Sequence, residues 1–253
     1  MKILITGGGG FLGARLARTL LSKAQLNGQT ISAVMLADQQ APPDDLLAQS
    51  KVHARTGPLL AQVAELASWQ PDAVFHLASA VSGECEDDFD LGLRSNIDST
   101  RALLDAFRHA KHAPRFVFSS SVAVYGPDPA HHWPGVVSDE TLPTPQTSYG
   151  IHKLICEHMV TDYTRKGYID GRSARLMTVT VRPGRPNGAA SSFFSGIIRE
   201  PLAGEISVCP VDASVSHPVA SPGKTIQGLV AVFEASREAF QGRTAMNLSL
   251  IHI

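Results

Sequence analysis

The fold is decided by the stretch Ile3-Leu-Ile-Thr-Gly-Gly-Gly-Gly-Phe-Leu-Gly13. Its apolar start predicts a short buried strand, and Gly7, Gly10 and Gly13 fall three apart where a helix over residues 12–22 begins. Glycines at these positions permit a tight turn, let the backbone approach a pyrophosphate and let the helix pack on its strand. The positive end of the helix then attracts phosphate. The stretch therefore predicts a dinucleotide-binding turn, with a bare glycine loop as the alternative.

The composition is that of an ordinary globular protein. Of 253 residues, 43% are hydrophobic and 18% are charged, with a net charge of −1, so no overall field draws in nucleic acid or an acidic membrane. Cys85, Cys156 and Cys209 lack Cys-x-x-Cys spacing, which argues against a disulfide framework or a zinc site. There is no signal-peptide pattern and no apolar run of about 20 residues. We therefore predict a soluble, cytoplasmic protein.

An acidic residue closes the second predicted strand. Residues 30–36 alternate in polarity and lead to Ala37-Asp38, 25 residues beyond Gly13. A carboxylate at this position can accept hydrogen bonds from the adenosine ribose hydroxyls and would repel a 2′-phosphate. Asp38 therefore favours NAD over NADP as the cofactor, with a plain loop residue as the alternative.

Strand and helix patterns alternate along the rest of the chain. Residues 42–45 and 127–145 read as loops, and the apolar patterns predict strands at 51–55, 73–78, 115–119 and 176–181 and helices at 59–69, 93–111 and 148–165. The period then changes, with helices at 191–203 and 225–240, a strand at 206–211 and a last apolar run at 245–250. This alternation predicts an α/β, doubly wound parallel sheet, the Rossmann fold. We expect an NAD-binding domain at residues 1–182 and a smaller substrate-binding part at 183–253.

Two polar clusters resemble metal sites but lack the spacing for one. The acidic stretch from Glu84 to Asp90 has no ligand pattern, and a solvated loop is the better interpretation. The pair His131-His132 has no third ligand near it, which favours surface histidines. No metal is predicted.

Tyr149 and Lys153 are the pair that carries chemistry. They lie four residues apart in the predicted helix, so the phenol and the ammonium share one face. A free tyrosine has a pKa of about 10, and a nearby cation together with a positive nicotinamide ring favours the phenolate. A tyrosine and a lysine four residues apart are also common on helices where neither residue is catalytic. The glycine turn and the serine-ended strand upstream favour Tyr149 as a base supported by Lys153.

Taken together, these motifs resemble the extended short-chain dehydrogenase/reductase superfamily, which includes sugar-nucleotide epimerases and dehydratases. The resemblance implies that Ser121, in Ser119-Ser120-Ser121 before Val-Tyr-Gly, hydrogen-bonds the reacting oxygen, and that Asn96 helps to order a proton-relay water. Tyr149 would be the acid/base, and Lys153 would support it and hold the ribose. The resemblance also implies a cofactor site made of Gly7, Gly10, Phe11, Leu12, Gly13, Asp38, Leu77, Ala78, Ser79, Asn96, Tyr149, Lys153 and Pro183.

Within that superfamily, residues 88–94, 144–150, 182–193 and 197–205 are similar to the D-erythronate dehydrogenases, which oxidise a four-carbon sugar acid at C2 with NAD. A small hydroxy acid needs a cation or several donors for its carboxylate. Arg185 is predicted as that cation, with a salt-bridged surface arginine as the alternative, and Arg199 is predicted to be structural. The predicted substrate-binding set is Ser121, Tyr149, Arg185, Asn187, Ser191 and Ser192.

The sequence departs from the superfamily in two places. Gly57-Pro58 stands where an acidic residue commonly contacts adenine, and the chain stops on apolar residues at Ile253 while relatives continue. We expect a truncated substrate lobe. The resemblance also implies a homodimer through helices 93–111 and 148–165. Two alternatives remain, a nucleotide-sugar epimerase or dehydratase and a non-catalytic NAD-binding regulatory protein.

Overall fold

A computed structural model of the protein describes residues 1–131, 134–184 and 188–248. The strands of the described chain are β1 (Lys2–Thr6), β2 (Gln25–Leu26), β3 (Gln29–Thr30), β4 (Ala33–Asp38), β5 (Val52–Thr56), β6 (Ala73–His76), β7 (Arg115–Ser121), β8 (Asp170–Leu176), β9 (Thr178–Val179), β10 (Val219–Ala220) and β11 (Ala245–Leu248). The α-helices there are α1 (Phe11–Lys23), α2 (Asp44–Leu47), α3 (Leu59–Ser68), α4 (Ser82–Asp87), α5 (Phe89–Gly92), α6 (Ser99–Ala110), α7 (Ser148–Arg165), α8 (Phe193–Leu202) and α9 (Pro222–Glu234).

Seven of these strands form a parallel sheet in the described chain, in the order β11-β8-β7-β6-β1-β4-β5. β1 lies in its middle, and Ile3, Leu4 and Ile5 are fully buried because both faces of a parallel sheet are covered. The chain runs outward from β1 in one direction to β4 and β5 and then returns to β6 on the other side of β1. This reversal is the topological switch point at which doubly wound folds bind ligands. The predicted fold class is confirmed.

The helices cover the sheet on both faces. On one face, α1 and α9 bury Leu16, Leu20, Leu229 and Phe233 against the strands in a single apolar core. On the other face, α3, α6 and α7 contribute a second core around residues such as Leu103. No helix in the described part of the chain is long and apolar enough to cross a membrane.

β8 differs from the sequence prediction, which placed the strand at residues 176–181. The sheet strand is Asp170–Leu176, and beyond it β9 pairs only with β10 in a separate two-stranded ribbon. Two buried arginines explain the error, because charges are not expected in a central strand. Arg172 Nη1 donates to the carbonyls of Val232 (2.8 Å) and Phe233 (2.5 Å) at the end of α9, so the buried charge is matched by carbonyls that the helix end leaves free.

Arg175, the second buried arginine of β8, pairs with Glu157 of α7. Its Nε and Nη2 donate to the two carboxylate oxygens at 2.9 and 2.7 Å. Ser120 donates to the same carboxylate at 2.5 Å, and Arg175 Nη1 donates to Tyr125. The pair therefore joins α7, β7 and β8 beneath the carboxyl ends of the strands.

Three other predicted elements are corrected. The loop predicted at residues 42–45 is wrong in its second half, because α2 begins at Asp44. The acidic stretch predicted as a solvated loop forms α4 and α5. The strand predicted at 206–211 is absent from the structure. Ile206 is 94% exposed and Val208 is 76% exposed, so these apolar residues have no sheet neighbour to pair with. The last apolar run forms β11 as far as Leu248, and residues 249–250 lie outside the described residues.

The C-terminal elements return to the sheet. β11 pairs in parallel with β8, and Ile226 of α9 is buried in the same core as β1. The division into residues 1–182 and 183–253 remains a prediction, with 222–248 packed against the strands of the first part.

Candidate active site

A cleft of about 1030 Å³ opens at the carboxyl ends of the strands, at the switch point between β1 and β6. The glycine turn and Asp38 form one end, and residues that follow β8 and surround α8 form the other end. Of the predicted cofactor residues, these line the cleft: Gly7, Gly10, Phe11, Leu12, Gly13, Asp38, Leu77, Ala78, Ser79, Tyr149 and Lys153. Asn96 is buried behind the wall, and Pro183 is exposed and is not part of the lining.

The glycine turn has a conformation that side chains would not fit. Gly7 has φ +72°, and a Cβ there would lie 2.8 Å from the backbone nitrogen of Ala78. A Cβ on Gly13 would overlap the carbonyl oxygen of Gly7. α1 begins at Phe11, and no side chain in the described chain caps its N-terminus. The first-turn N–H groups are therefore free for a phosphate at the positive end of the helix.

Asp38 joins the tip of β4 to this turn. Its Oδ2 accepts hydrogen bonds from the backbone N–H groups of Gly9 (3.0 Å) and Gly10 (3.1 Å), and its Oδ1 accepts one from Gln40 (3.1 Å). A carboxylate has about four lone-pair sites, so one is left on a side chain that also lines the cleft. The same carboxylate can therefore hold the turn and receive a ribose hydroxyl.

The wall beside Asp38 is made of residues 57–60, at the start of α3. Gly57, Pro58, Leu59 and Leu60 all line the cleft there, in place of the acidic residue that the superfamily commonly has. Apolar residues of this kind can contact an adenine ring without a carboxylate.

Asn96 holds the loop that forms the middle of the wall. It lies in a π-helical segment, Leu93–Asp98, which leads into α6. Its Oδ1 accepts hydrogen bonds from Ala80 N (2.7 Å) and Ser79 Oγ (3.0 Å), and its Nδ2 donates to Ala80 O (3.3 Å). Asn96 therefore positions the loop after β6, and its role in ordering a relay water remains a prediction. π-Helical turns are frequent at functional sites.

His76 lies beneath this loop, between two threonines. Its Nδ1 is 2.6 Å from Thr6 Oγ1 and its Nε2 is 2.9 Å from Thr100 Oγ1. Burial, together with the nearby charge of Lys153, lowers the pKa of His76 to about 3. The neutral imidazole thus links β1, β6 and α6 directly below the cleft.

Ser121, Tyr149 and Lys153 meet at the centre of the cleft. α7 begins at Ser148, as predicted, and Thr147 caps it by accepting a hydrogen bond from Gly150 N (3.1 Å). One turn into the helix, Lys153 Nζ lies 5.4 Å from the centroid of the Tyr149 ring and donates to Ser119 O (2.8 Å). Ser121 ends β7 facing this pair and hydrogen-bonds the phenol of Tyr149.

Burial dominates the electrostatics of these groups. It raises the pKa of Tyr149 to about 12, while the hydrogen bond with Ser121 acts in the opposite direction. Burial also lowers the pKa of Lys153 to about 8. Both shifts favour the uncharged forms. A positive charge beside the phenol is therefore required before Tyr149 can accept a proton near neutral pH.

The substrate end of the cleft includes Ser191 and Ser192 on a short 3-10 turn, Ala190–Ser192. Arg185 and Asn187, the other predicted substrate residues, lie outside the described residues. Arg199, predicted to be structural, pairs with Glu200 and donates to Arg182 O at 2.7 Å.

Three polar residues in this part of the wall were not predicted from the sequence. Thr178, Arg182 and His217 all line the cleft, and His217 Nε2 lies 2.7 Å from Thr178 Oγ1 while its ring stacks on Phe194 at 4.5 Å. His217 follows a segment without periodic pattern, so the sequence carries no signal for it. Arg182 follows the predicted strand at 176–181, but so does Arg185, and local pattern does not distinguish the two.

Within the described ranges, no group of three His, Cys, Asp or Glu side chains is arranged to hold a metal ion. His131 pairs instead with Asp128 at 2.8 Å, and His132 lies outside those ranges.

The sequence profile of the NAD dependent epimerase/dehydratase family matches residues 3–239. The chain belongs to this family. It is 47% identical to the D-erythronate dehydrogenase of Cupriavidus necator over 98% of this chain and 76% of that protein. It is 40% identical to the D-erythronate dehydrogenase of Haemophilus influenzae, over 91% of this chain and 71% of the relative. The crystal structure of a nucleoside-diphosphate-sugar epimerase from Agrobacterium tumefaciens matches with a TM-score of 0.90 and 41% identity, covering 98% of this chain and 73% of that chain.

The cofactor of this epimerase/dehydratase family is NAD, and the geometry of the cleft fits it. The uncapped N-terminus of α1 and the close approach of Gly7 to Ala78 suit a pyrophosphate. Asp38 suits an unphosphorylated ribose, and Lys153 lies in the central wall of the same cleft.

Proposed function

We propose that this chain oxidises a small sugar acid, D-erythronate, at C2 to 2-oxo-tetronate with NAD. One observation carries the proposal: Ser121, Tyr149 and Lys153 meet in the NAD cleft of a chain that is 47% identical to a D-erythronate dehydrogenase along almost its whole length. The 40% identity to a second D-erythronate dehydrogenase supports the same substrate.

Three side chains divide the work on the substrate. Tyr149 takes the proton of the C2 hydroxyl, Ser121 holds that oxygen by a hydrogen bond, and Lys153 keeps a positive charge close to the phenol. NAD, when bound, supplies the ring that accepts the C2 hydrogen with its electron pair and adds positive charge beside Tyr149. Because burial raises the pKa of Tyr149, that added charge makes proton transfer favourable only in the loaded site.

The remaining polar groups would bind the rest of the sugar acid. Ser191 and Ser192 line the far end of the cleft and can donate to hydroxyl or carboxylate oxygens. Arg185 and Asn187 complete the proposed substrate set. Asn96 supports the reaction through the loop of Ser79, which it holds in place.

The proposal is tested by following NADH formation from NAD with the purified chain. The panel contains D-erythronate, L-threonate and D-glycerate, with UDP-glucose as control. We expect turnover with D-erythronate and none with UDP-glucose. Tyr149→Phe should lower kcat by about 10²–10⁴-fold, the usual contribution of a general base, and leave NAD affinity unchanged. Absence of turnover with all three aldonates would contradict the proposal.

A nucleotide-sugar epimerase is the second candidate, because the chain is 41% identical to a nucleoside-diphosphate-sugar epimerase of the same fold. An epimerase returns its hydride and accumulates no NADH, so a change in sugar configuration without NADH would favour it. A non-catalytic NAD-binding protein would bind NAD, turn over none of these compounds and be indifferent to Tyr149→Phe.

We also propose a cytoplasmic homodimer in which residues 93–111 and 148–165 pair with their copies. Ile151 and Ile155 lie one turn apart on α7 and are 44% and 40% exposed, which supports an apolar contact along this helix. Light scattering on wild type and on Ile155→Glu tests it. A dimer that becomes a monomer in the variant supports the arrangement, and a monomeric wild type contradicts it.

A further inference from the structure

We propose that Arg182 binds the carboxylate of the substrate. The inference rests on the proposed oxidation of a sugar acid. Arg182 lines the same cleft as Ser121 and Tyr149, at the end formed by α8 and the 3-10 turn Ala190–Ser192. It lies three residues beyond the end of β9.

The backbone of Arg182 is fixed on both sides by α8. Its N–H donates to Ser195 Oγ at 2.9 Å, and its carbonyl accepts from Arg199 Nη1 at 2.7 Å. Arg199 is in turn held by its ion pair with Glu200. The Arg182 side chain therefore starts from a fixed backbone position, as a specific ligand-binding residue requires.

The side chain of Arg182 has unused donor capacity. Its Nη1 is buried and has no hydrogen-bond partner among the described residues. A buried donor without a partner is unfavourable, and a guanidinium carries its donors in a planar fork that matches a carboxylate. A carboxylate at this end of the cleft satisfies that donor and neutralises the charge at once.

The other cations of the cleft wall are placed differently. Lys153 donates to Ser119 O, and Arg199 is engaged by Glu200 and by the Arg182 carbonyl. Arg94 is exposed, on the π-helical segment before α6. Among the cleft-lining cations that the structure describes, Arg182 thus combines a buried, unpartnered donor with a position at the substrate end.

The test compares Arg182→Met with wild type, using D-erythronate and NAD. Loss of a charged hydrogen bond to the carboxylate should raise the KM of D-erythronate about 100-fold. The affinity for NADH should stay close to that of wild type, because Arg182 lies at the substrate end of the cleft. The melting temperature should also stay close to that of wild type, because the Arg182 side-chain Nη1 has no partner in the described structure to lose. Arg182→Lys keeps the charge without the fork and should raise KM about tenfold.

Arg237→Met is the matched control, since Arg237 pairs with Asp170 at the start of β8, away from the carboxyl ends of the strands. It should leave KM unchanged. Arg185→Met is measured in parallel. An unchanged KM for D-erythronate in a folded Arg182→Met variant overturns the inference. A KM that rises in Arg185→Met but not in Arg182→Met overturns it as well. If Arg182→Met fails to fold, Arg182→Lys decides by the same criterion.

The two levels of failure are distinguishable. A wild-type protein that turns over no aldonate overturns the proposed function and this inference with it. An active wild type whose KM does not depend on Arg182 overturns this inference alone.

Discussion

Ser121 and Tyr149 share the hydrogen bond that opposes burial at the reacting centre. Because this bond lowers the pKa of Tyr149 while burial raises it, Ser121→Ala should raise that pKa further. The rising limb of the kcat/KM profile should therefore move to higher pH, with kcat/KM at pH 7 reduced about 10–100-fold. Ser121→Thr retains the hydroxyl, so its rising limb should stay at the wild-type pH. A profile in Ser121→Ala that falls in height without moving along the pH axis would contradict this role.

At the scale of single residues, the sequence predicted those whose role follows from local spacing. Gly7, Gly10 and Gly13 line the cleft as their three-residue spacing predicted, and Tyr149 and Lys153 share a helix face. Arg182 could not be selected in this way. Local pattern does not tell which of several arginines after a strand turns into the cleft, since that depends on how α8 packs.

At the scale of elements, the glycine turn between β1 and α1 is the most constrained. A Cβ on Gly13 would overlap the Gly7 carbonyl oxygen, so Gly13→Ala should push α1 away from the turn and weaken NAD binding at least tenfold. Calorimetric titration with NAD measures the loss. Gly223→Ala in α9 is the control, because the nearest atom to its added Cβ is 3.9 Å away. Equal NAD affinity in both variants would contradict this account of the turn.

The ion pair between Glu157 of α7 and Arg175 of β8 is buried, with 4% and 8% of the side chains exposed. Arg175→Met leaves the Glu157 carboxylate without its countercharge and should lower the free energy of unfolding by about 3–5 kcal/mol. Urea denaturation measures the change. Arg165→Met, which breaks the exposed pair with Asp162 on α7, should leave the midpoint nearly unchanged. Similar midpoints for the two variants would refute a structural role for the buried pair.

The elements that the sequence predicted well are those with uninterrupted periodicity. Helix α7 begins at Ser148 and ends at Arg165, as its apolar spacing predicted. β8 was missed because its charges are satisfied by partners distant in sequence, Glu157 and the end of α9. The strand predicted at 206–211 is absent because an apolar alternation forms a strand only where a neighbouring strand accepts it.

At the scale of the whole molecule, His76 makes stability depend on pH. Its pKa is about 3 in the folded protein and about 6.5 in the unfolded chain. Below pH 6.5 the unfolded chain binds a proton that the folded protein does not, so stability falls as pH falls. The contribution lost between pH 7 and pH 4 is about 3 kcal/mol. Urea midpoints across this range measure it. His76→Gln should reduce the slope, and an unchanged slope would contradict a neutral, buried His76.

For the whole sheet, the sequence predicted the fold class but not the full strand order. Alternating strands and helices predict a doubly wound sheet, and the cleft lies at the switch point beside β1, as that class requires. The return of the chain from α8 through β10 and α9 to β11 was not predictable. It depends on the packing of residues such as Phe233 against strands that are distant in sequence.

The central claim is that the C2 hydrogen of a sugar acid leaves for NAD in this cleft. The most direct test uses D-erythronate carrying deuterium at C2, unlabelled NAD and the wild-type chain, with the NADH product examined by mass spectrometry. The account predicts NADH that carries one deuterium at the nicotinamide ring, and no such product from Tyr149→Phe within the same time. NADH formed without deuterium, or deuterium found only in an epimerised sugar acid, would contradict it.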